Sequence, residues 1–190
     1  MDYSKKALRK TVKELRQGIA PEDKAEWDRN LEENLRGFHL ENSPVVYAYI
    51  SVKGETETGG ILEKLLHAGV RVAVPRVMRD ASGKWLDFYF ISGKEDLEAG
   101  TFGLLEPKFT CEKAEDANCP VIVPGVAFTP ECIRNGYGGG FYDRLFEKEP
   151  NHLKIAIAYD FQIFEQVEHD ALDVRMDYVV TPTQIYSKKN

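Results

Sequence analysis

Six short runs rich in apolar, β-branched and aromatic residues limit what this chain can fold into: VVYAYIS (45–51), VRVAVPRV (70–77), WLDFYFI (85–91), CPVIVPGVAF (119–128), KIAIAYD (154–160) and DYVVTP (177–182). Runs that lack a clean polar face are expected where a strand is buried on both sides. Helical segments fall between them. ILEKLLHAG (61–69) ends in a glycine stop, and a helix is expected from the end of a glycine-rich loop to about residue 148. Strands alternating with helices predict an α/β fold with a mainly parallel sheet.

Two helices are expected before the first strand, packed against that sheet. Leu8, Val12, Leu15 and Ile19 recur at helical spacing after Ser4, an N-cap residue, so residues 5–18 read as an amphipathic helix. Ala20-Pro21 opens the second, with Trp27, Leu31, Leu35 and Phe38 along one face and Gly37 near its end. DASGK (80–84) carries turn chemistry between two strands. No repeat, low-complexity segment or linker interrupts the 190 residues, so a single domain over 1–190 is expected. A net charge of −6 argues against a broad nucleic-acid-binding face. Cys111, Cys119 and Cys132 are odd in number and lack close-pair metal spacing, which reads as free thiols in a reducing compartment. The charged N-terminus has no apolar signal core, and no run reaches the roughly 20 apolar residues of a membrane helix. A cytoplasmic protein without membrane or nucleic-acid partners is expected.

The stretch RNGYGGGFYDR (134–144) places Gly136, Gly138, Gly139 and Gly140 within five residues. Ligands of open α/β sheets lie beyond the carboxyl ends of the strands, and a loop between strand 119–128 and a following helix falls there. Glycines let backbone N–H groups converge on a phosphate, with the helix N-terminus adding partial positive charge. The same pattern also suits a tight or mobile connection, and the residues alone leave both open. Neither the P-loop nor the Rossmann fingerprint is present. Asp143 suits the helix macrodipole. Beside a polyphosphate it would need a bridging hard cation, and Mg²⁺ typically takes one or two carboxylates plus phosphate oxygens. Asp177, opening the last strand, is a candidate second carboxylate, although the residues alone favour an exposed strand-end acid. Lys5 and Arg9, at i,i+4, share one helix face, as either a solvated stripe or a cationic pair.

The glycine stretch closely resembles the signature of the 5-formyltetrahydrofolate cyclo-ligase (5,10-methenyltetrahydrofolate synthetase) family. The likeness extends in order through Lys5-Lys6-Ala7-Leu8-Arg9, Tyr49-Ile50-Ser51 to Glu55-Thr56-Glu57-Thr58, Val74-Pro75-Arg76, Phe102-Gly103-Leu104-Leu105-Glu106-Pro107, Val123 to Phe128 and Ala158-Tyr159-Asp160-Phe161-Gln162. The resemblance implies a three-layer sandwich related to the sugar-phosphate isomerase and CoA transferase-like folds. It implies a ligase of one-carbon metabolism that uses ATP and Mg²⁺ to cyclise 5-formyltetrahydrofolate, through an iminium phosphate that N10 attacks. Carried over by position, Lys5, Lys6, Ala7, Leu8, Arg9, Arg134, Asn135, Gly136, Tyr137, Gly138, Gly139, Gly140, Phe141 and Tyr142 would contact ATP. Arg9, Ile50, Glu55, Tyr137, Gly138, Gly139, Gly140 and Phe141 would contact folate, and Asp143 and Asp177 would hold magnesium. Lys5, Arg9, Arg134 and Asp143 are the expected catalytic groups. Two departures are mild: Asn135 stands where the family often has an apolar residue, and Phe141 replaces the commoner tyrosine. A monomer or weak homo-oligomer is expected. The rival readings are a non-catalytic nucleotide- or nucleic-acid-binding relative that keeps the fold and a sugar-phosphate isomerase or transferase on the related fold.

Overall fold

The computed structural model describes residues 2–81 and 83–189. Helix α1 (Lys5–Gln17) starts where the Ser4 hydroxyl accepts the Ala7 N–H (3.3 Å), and it buries Leu8 and Val12 on one face. Pro21 opens α2 (Pro21–Leu35) at a position whose N–H would be unpaired anyway, with Glu22 and Asp23 in the positive first turn. A 3₁₀ turn at Arg36–Phe38 then carries the chain to His39, whose left-handed backbone ends it.

Strand β1 (Val45–Ala48) and helix α3 (Gly59–His67) follow, then the long hairpin β2 (Arg71–Asp80) and β3 (Gly83–Ile91). Ser82, within the expected 80–84 turn, lies outside the described residues, while Asp80 pairs with Gly83 across it. Short strands β4 (Leu97–Ala99), β5 (Leu105–Pro107) and β6 (Lys113–Ala114) lead to β7 (Pro120–Val123). Next come the hairpin β8 (Ala127–Phe128) and β9 (Arg134–Asn135), helix α4 (Phe141–Lys148), and β10 (Leu153–Ile157), β11 (Tyr178–Val180) and β12 (Ile185–Ser187).

The main sheet has the order β12-β11-β10-β7-β1-β2-β3-β6. Its centre, from β11 to β2, is parallel, and β12, β3 and β6 join antiparallel at the two edges. Alternate residues of each strand point to opposite faces, so the apolar runs feed two cores. On one face Val46, Val72, Ile122 and Ile155 pack with Leu31 and Leu35 of α2 and with Ile61, Leu62 and Leu65 of α3. On the other, Val45, Tyr47, Val121 and Ala156 meet Tyr142, Leu145 and Phe146 of α4. These are the three layers that the family resemblance implies.

Two expectations change. Residues 119–128 are not one strand: the chain leaves the sheet after Val123 at Pro124-Gly125, and β8 pairs antiparallel with β9 instead. Arg134 and Asn135, which open the glycine motif, are therefore strand residues. Helix α1 also does not lie on the main sheet. Its Leu8 is fully buried against Ala127, Ile133 and Val167, so α1 is seated on that small hairpin. The three cysteines are free thiols, with Cys119 and Cys132 buried. No helix among the described residues is long and apolar enough to cross a membrane.

Because one leucine carries this seat, Leu8→Ala should cost about 2–5 kcal/mol by opening a cavity under α1. Chemical denaturation should show the midpoint fall; an unchanged midpoint would contradict this seat for α1.

Candidate active site

The carboxyl ends of β1, β2 and β7 open into a cavity of about 690 Å³. Ile50, Val52, Pro75, Val77, Leu86 and Leu105 give it an apolar wall. Val77 and Leu86 are direct partners across the β2–β3 hairpin, so two strands supply that wall as one surface. The other wall is polar: Lys5 and Arg9 from α1, the glycine loop, and Asp143 and Asp173. A flat apolar group and a phosphate could occupy such a site side by side.

The loop is held from α1. Arg9 donates from Nε to the Gly136 carbonyl (2.9 Å) and from Nη2 to Asn135 Oδ1 (3.2 Å), while Asn135 Nδ2 donates to the Lys5 carbonyl (3.1 Å). Asn135 is buried, and its amide spends a donor and an acceptor on this seam. Gly138 (φ 98°) and Gly140 (φ 61°) adopt left-handed backbone that suits glycine. A Cβ on Gly138 would also lie 3.2 Å from the Arg9 guanidinium. Gly140 precedes α4 and provides no side-chain cap, so the first turn has backbone donors to offer a ligand.

Apart from Arg9, whose bonds go to the Gly136 carbonyl and the Asn135 amide, the cations of the polar wall are paired with carboxylates. Arg134 donates from Nη2 to Asp143 Oδ1 (2.9 Å) and from Nη1 to the Pro124 carbonyl (3.4 Å). The Val174 N–H approaches the same Asp143 oxygen at 3.3 Å. Lys5 Nζ bonds Asp173 Oδ2 (2.5 Å) and Asp170 Oδ2 (3.0 Å). Burial alone would lower the Lys5 pKa, but bonds to Asp173 and Asp170 outweigh it and hold the ammonium above the ordinary lysine value. Lys5 therefore stays cationic at neutral pH.

Two carboxylates are buried toward the other wall. Glu55 accepts the Val52 N–H on Oε2 (3.0 Å) and the Tyr137 hydroxyl on Oε1. Its carbonyl is met by the Tyr159 hydroxyl (3.0 Å), which also faces Asp28 (2.7 Å). Glu106 accepts the Val77 N–H (3.3 Å) and lies 3.8 Å from Arg76 Nε. The Tyr142 hydroxyl and Arg134 Nε are buried without a hydrogen-bond partner among the described residues. Buried donors left unpaired are costly, and at a cavity wall they are candidates for a ligand's acceptors.

A profile of the 5-formyltetrahydrofolate cyclo-ligase family matches residues 1–182. The chain belongs to that family. Membership makes it an enzyme of the cyclo-ligase class. It is 26% identical over 190 residues to a Caenorhabditis elegans protein named probable 5-formyltetrahydrofolate cyclo-ligase, covering 93% of this chain and 91% of the relative. An Escherichia coli 5-formyltetrahydrofolate cyclo-ligase is 27% identical, with 92% and 98% covered. The NMR structure of Aquifex aeolicus 5,10-methenyltetrahydrofolate synthetase superposes with a TM-score of 0.82 at 30% identity, covering 98% of this chain and 93% of that one.

Against this cyclo-ligase frame, most residues singled out from the sequence meet at one cavity: Lys5, Arg9, Ile50, Glu55, Arg134 and the whole run from Asn135 to Asp143 line it. Lys6, Ala7 and Leu8 do not. Lys6 is exposed, Ala7 contributes its N–H to the Ser4 cap, and Leu8 is in the core.

Asp177 requires correction. It stands at the amino end of β11, where Oδ2 accepts the Lys154 N–H (2.8 Å) and the carboxylate faces Lys154 and Lys188, each at 3.7 Å. The cavity lies beyond the opposite ends of the parallel strands, so Asp177 cannot share a metal with Asp143. The carboxylate that the fold brings beside Asp143 is Asp173, four residues earlier, next to the Val174 N–H that meets Asp143. Asp173 and Glu106, which were not among the residues expected from the sequence, also line the cavity. Glu106 sits within a family-like block, which was its one sequence signal, whereas Asp173 lies in an irregular connection with no periodicity to place it.

Asp177→Asn should keep an acceptor for the Lys154 N–H but lose the charge facing two lysines, lowering stability by about 0–1 kcal/mol. Its steady-state turnover should match the unaltered protein; a loss of turnover at equal fold stability would contradict the placement.

Proposed function

We propose that this protein cyclises 5-formyltetrahydrofolate to 5,10-methenyltetrahydrofolate at the expense of ATP. The observation that carries the reading is one cavity whose cationic, glycine-lined wall faces an apolar wall bearing buried carboxylates. The first suits a polyphosphate and the second a flat, amine-bearing pterin.

Water loss from an N-formyl group is slow because its oxygen is a poor leaving group. Transfer of the γ-phosphoryl to that oxygen breaks the bond to ADP and leaves an iminium phosphate. N10 then attacks the formyl carbon, phosphate departs with the carbon–oxygen bond pair, and N10 gives up its proton as the methenyl bridge forms. Such a reaction needs alignment and charge stabilisation more than a protein nucleophile.

Each element has a share in this. Backbone donors of the glycine loop and the α4 N-terminus hold phosphate oxygens with fixed dipoles. Lys5 and Arg134 supply positive charge to the transferring group. Val77, Leu86 and Leu105 exclude water from the pterin side, while Glu55 accepts hydrogen bonds from ring or amine N–H groups. Asp143 and Asp173 fit a magnesium ion shared with phosphate, since such ions commonly take one or two carboxylates from the protein. When bound, the ion would neutralise phosphate charge. The described residues contain no group of three acidic, histidine or cysteine ligands, so substrate phosphates would complete the coordination.

Purified protein given 5-formyltetrahydrofolate, ATP and Mg²⁺ should develop the near-ultraviolet absorbance of the methenyl product, and omitting ATP or metal should abolish it. No product from folded, nucleotide-binding protein would overturn the assignment. Asp143→Asn and Asp173→Asn should each raise the magnesium needed for half-maximal rate by about tenfold or more, as expected for loss of a charged ligand. Wild-type-like turnover at limiting magnesium in either variant would remove that residue from the metal site.

A further inference from the structure

Arg16 lies near the C-terminal end of α1, about two turns beyond Arg9, and stands behind the cavity rather than lining it. Its side chain is only 13% exposed. Nη1 donates to the Tyr137 hydroxyl (2.6 Å) and Nη2 to the Gly125 carbonyl (3.0 Å). Tyr137 passes its own hydroxyl proton toward Glu55 Oε1, which lies 3.9 Å from Arg16 Nη1. Arg16 also stands 5.8 Å over the Tyr137 ring. Gly54, with φ 88°, packs on the Arg16 stem, where an added Cβ would come within 3.3 Å. One guanidinium therefore joins the glycine loop, the turn after β7 and the segment carrying Glu55.

The order of donors matters. Arg16 has no acceptor, so the Tyr137 oxygen must accept from it and direct its single proton at Glu55. Burial raises the Tyr137 pKa first, with the Glu55 charge adding to it and Arg16 opposing, so the phenol remains a neutral donor. Bonds linked in this way polarise one another. The carboxylate is fixed at both oxygens, by Tyr137 on Oε1 and by the Val52 N–H on Oε2 (3.0 Å). Arg16 Nε is buried without an acceptor among the described residues, so the fork is set by Tyr137 and Gly125 rather than by full satisfaction of its own donors. Lysine has no planar fork with which to span those two oxygens.

We propose that Arg16 is a positioning residue that presets Tyr137 and Glu55 as one rigid acceptor wall for the folate. This inference rests on the cyclo-ligase reading of the cavity. Phosphate-side groups are held separately, by Arg9 on the glycine loop and by the Lys5–Asp173 and Arg134–Asp143 pairs. Arg16 meets the glycine loop only through the Tyr137 side chain and not through the loop's backbone donors, so its loss falls mainly on the folate side, which a general scaffold role would not produce.

The test is steady-state kinetics with each substrate varied in turn, on wild type, Arg16→Met, Arg16→Lys, Tyr137→Phe and the Met/Phe double variant. Arg16→Met should raise KM for 5-formyltetrahydrofolate about tenfold while KM for ATP stays within about twofold, with Arg16→Lys between it and wild type. The double variant should be no worse than the more severe single one, because both break the same chain of bonds. An unchanged folate KM, an equal rise in both KM values, or additive losses would overturn the proposal. If Arg16→Met does not fold, the same division of KM values in Arg16→Lys decides the matter. A wild-type protein that makes no product sinks the cyclo-ligase reading and this inference with it; active wild type with an unaffected Arg16→Met sinks the inference alone.

Discussion

The seam between α1 and the glycine loop is the contact on which the site depends. Arg9 and Asn135 exchange hydrogen bonds across it, and Leu8 fills the space beneath. Without this seam the polar wall would lose Lys5 and Arg9 together, and the loop would keep the Tyr137–Glu55 bond and the Arg144 bond to the Gly139 carbonyl as its remaining ties. The first turn of a helix is a poor place for a cavity-lining charge unless the helix N-terminus is fixed. Here the Lys5 N–H is bound by Glu168 (2.9 Å) and the Tyr3 carbonyl by the Glu168 N–H (3.2 Å), so the connection after β10 fixes it. The chain's first helix and its last long connection thus close on each other over the strand ends.

This arrangement explains what could be read from residues alone. The central strands declared themselves because burial on both faces demands continuous apolar runs, which Val45–Ala48, Pro120–Val123 and Leu153–Ile157 supply. The helix after the loop was equally plain. The β8–β9 hairpin was not, because residues 119–128 are apolar throughout and burial in a hairpin core resembles burial in a sheet. Only Pro124-Gly125 marked the departure, and two residues do not say which way the chain turns.

Asp173 and Asp177 show a subtler limit. Sequence places Asp177 firmly, at the opening of a strand. In a parallel sheet that position is the end remote from the ligand crevice, so its regularity argues against it. Asp173 belongs to a connection whose path depends on partners far away in sequence: Lys5, which pairs with it, and Asp143, which receives the neighbouring Val174 N–H. Local pattern contains neither fact. Arg16 and Glu106 are similar cases, charged side chains whose meaning comes from where their tips arrive.

The paired charges of the polar wall carry one more consequence. Lys5 is already matched by Asp173 and Asp170, and Arg134 by Asp143. This wall is supplied with its own counter-ions. Under the proposed function a phosphate would enter by exchange, taking cations from carboxylates that must then be compensated in turn. A bare polyanion would release those acids uncompensated beside itself, whereas one arriving with a divalent ion satisfies both halves of the exchange. Under the proposed function, the resting ion pairs would favour the metal-bound form of a nucleotide ahead of any contact with its base or sugar.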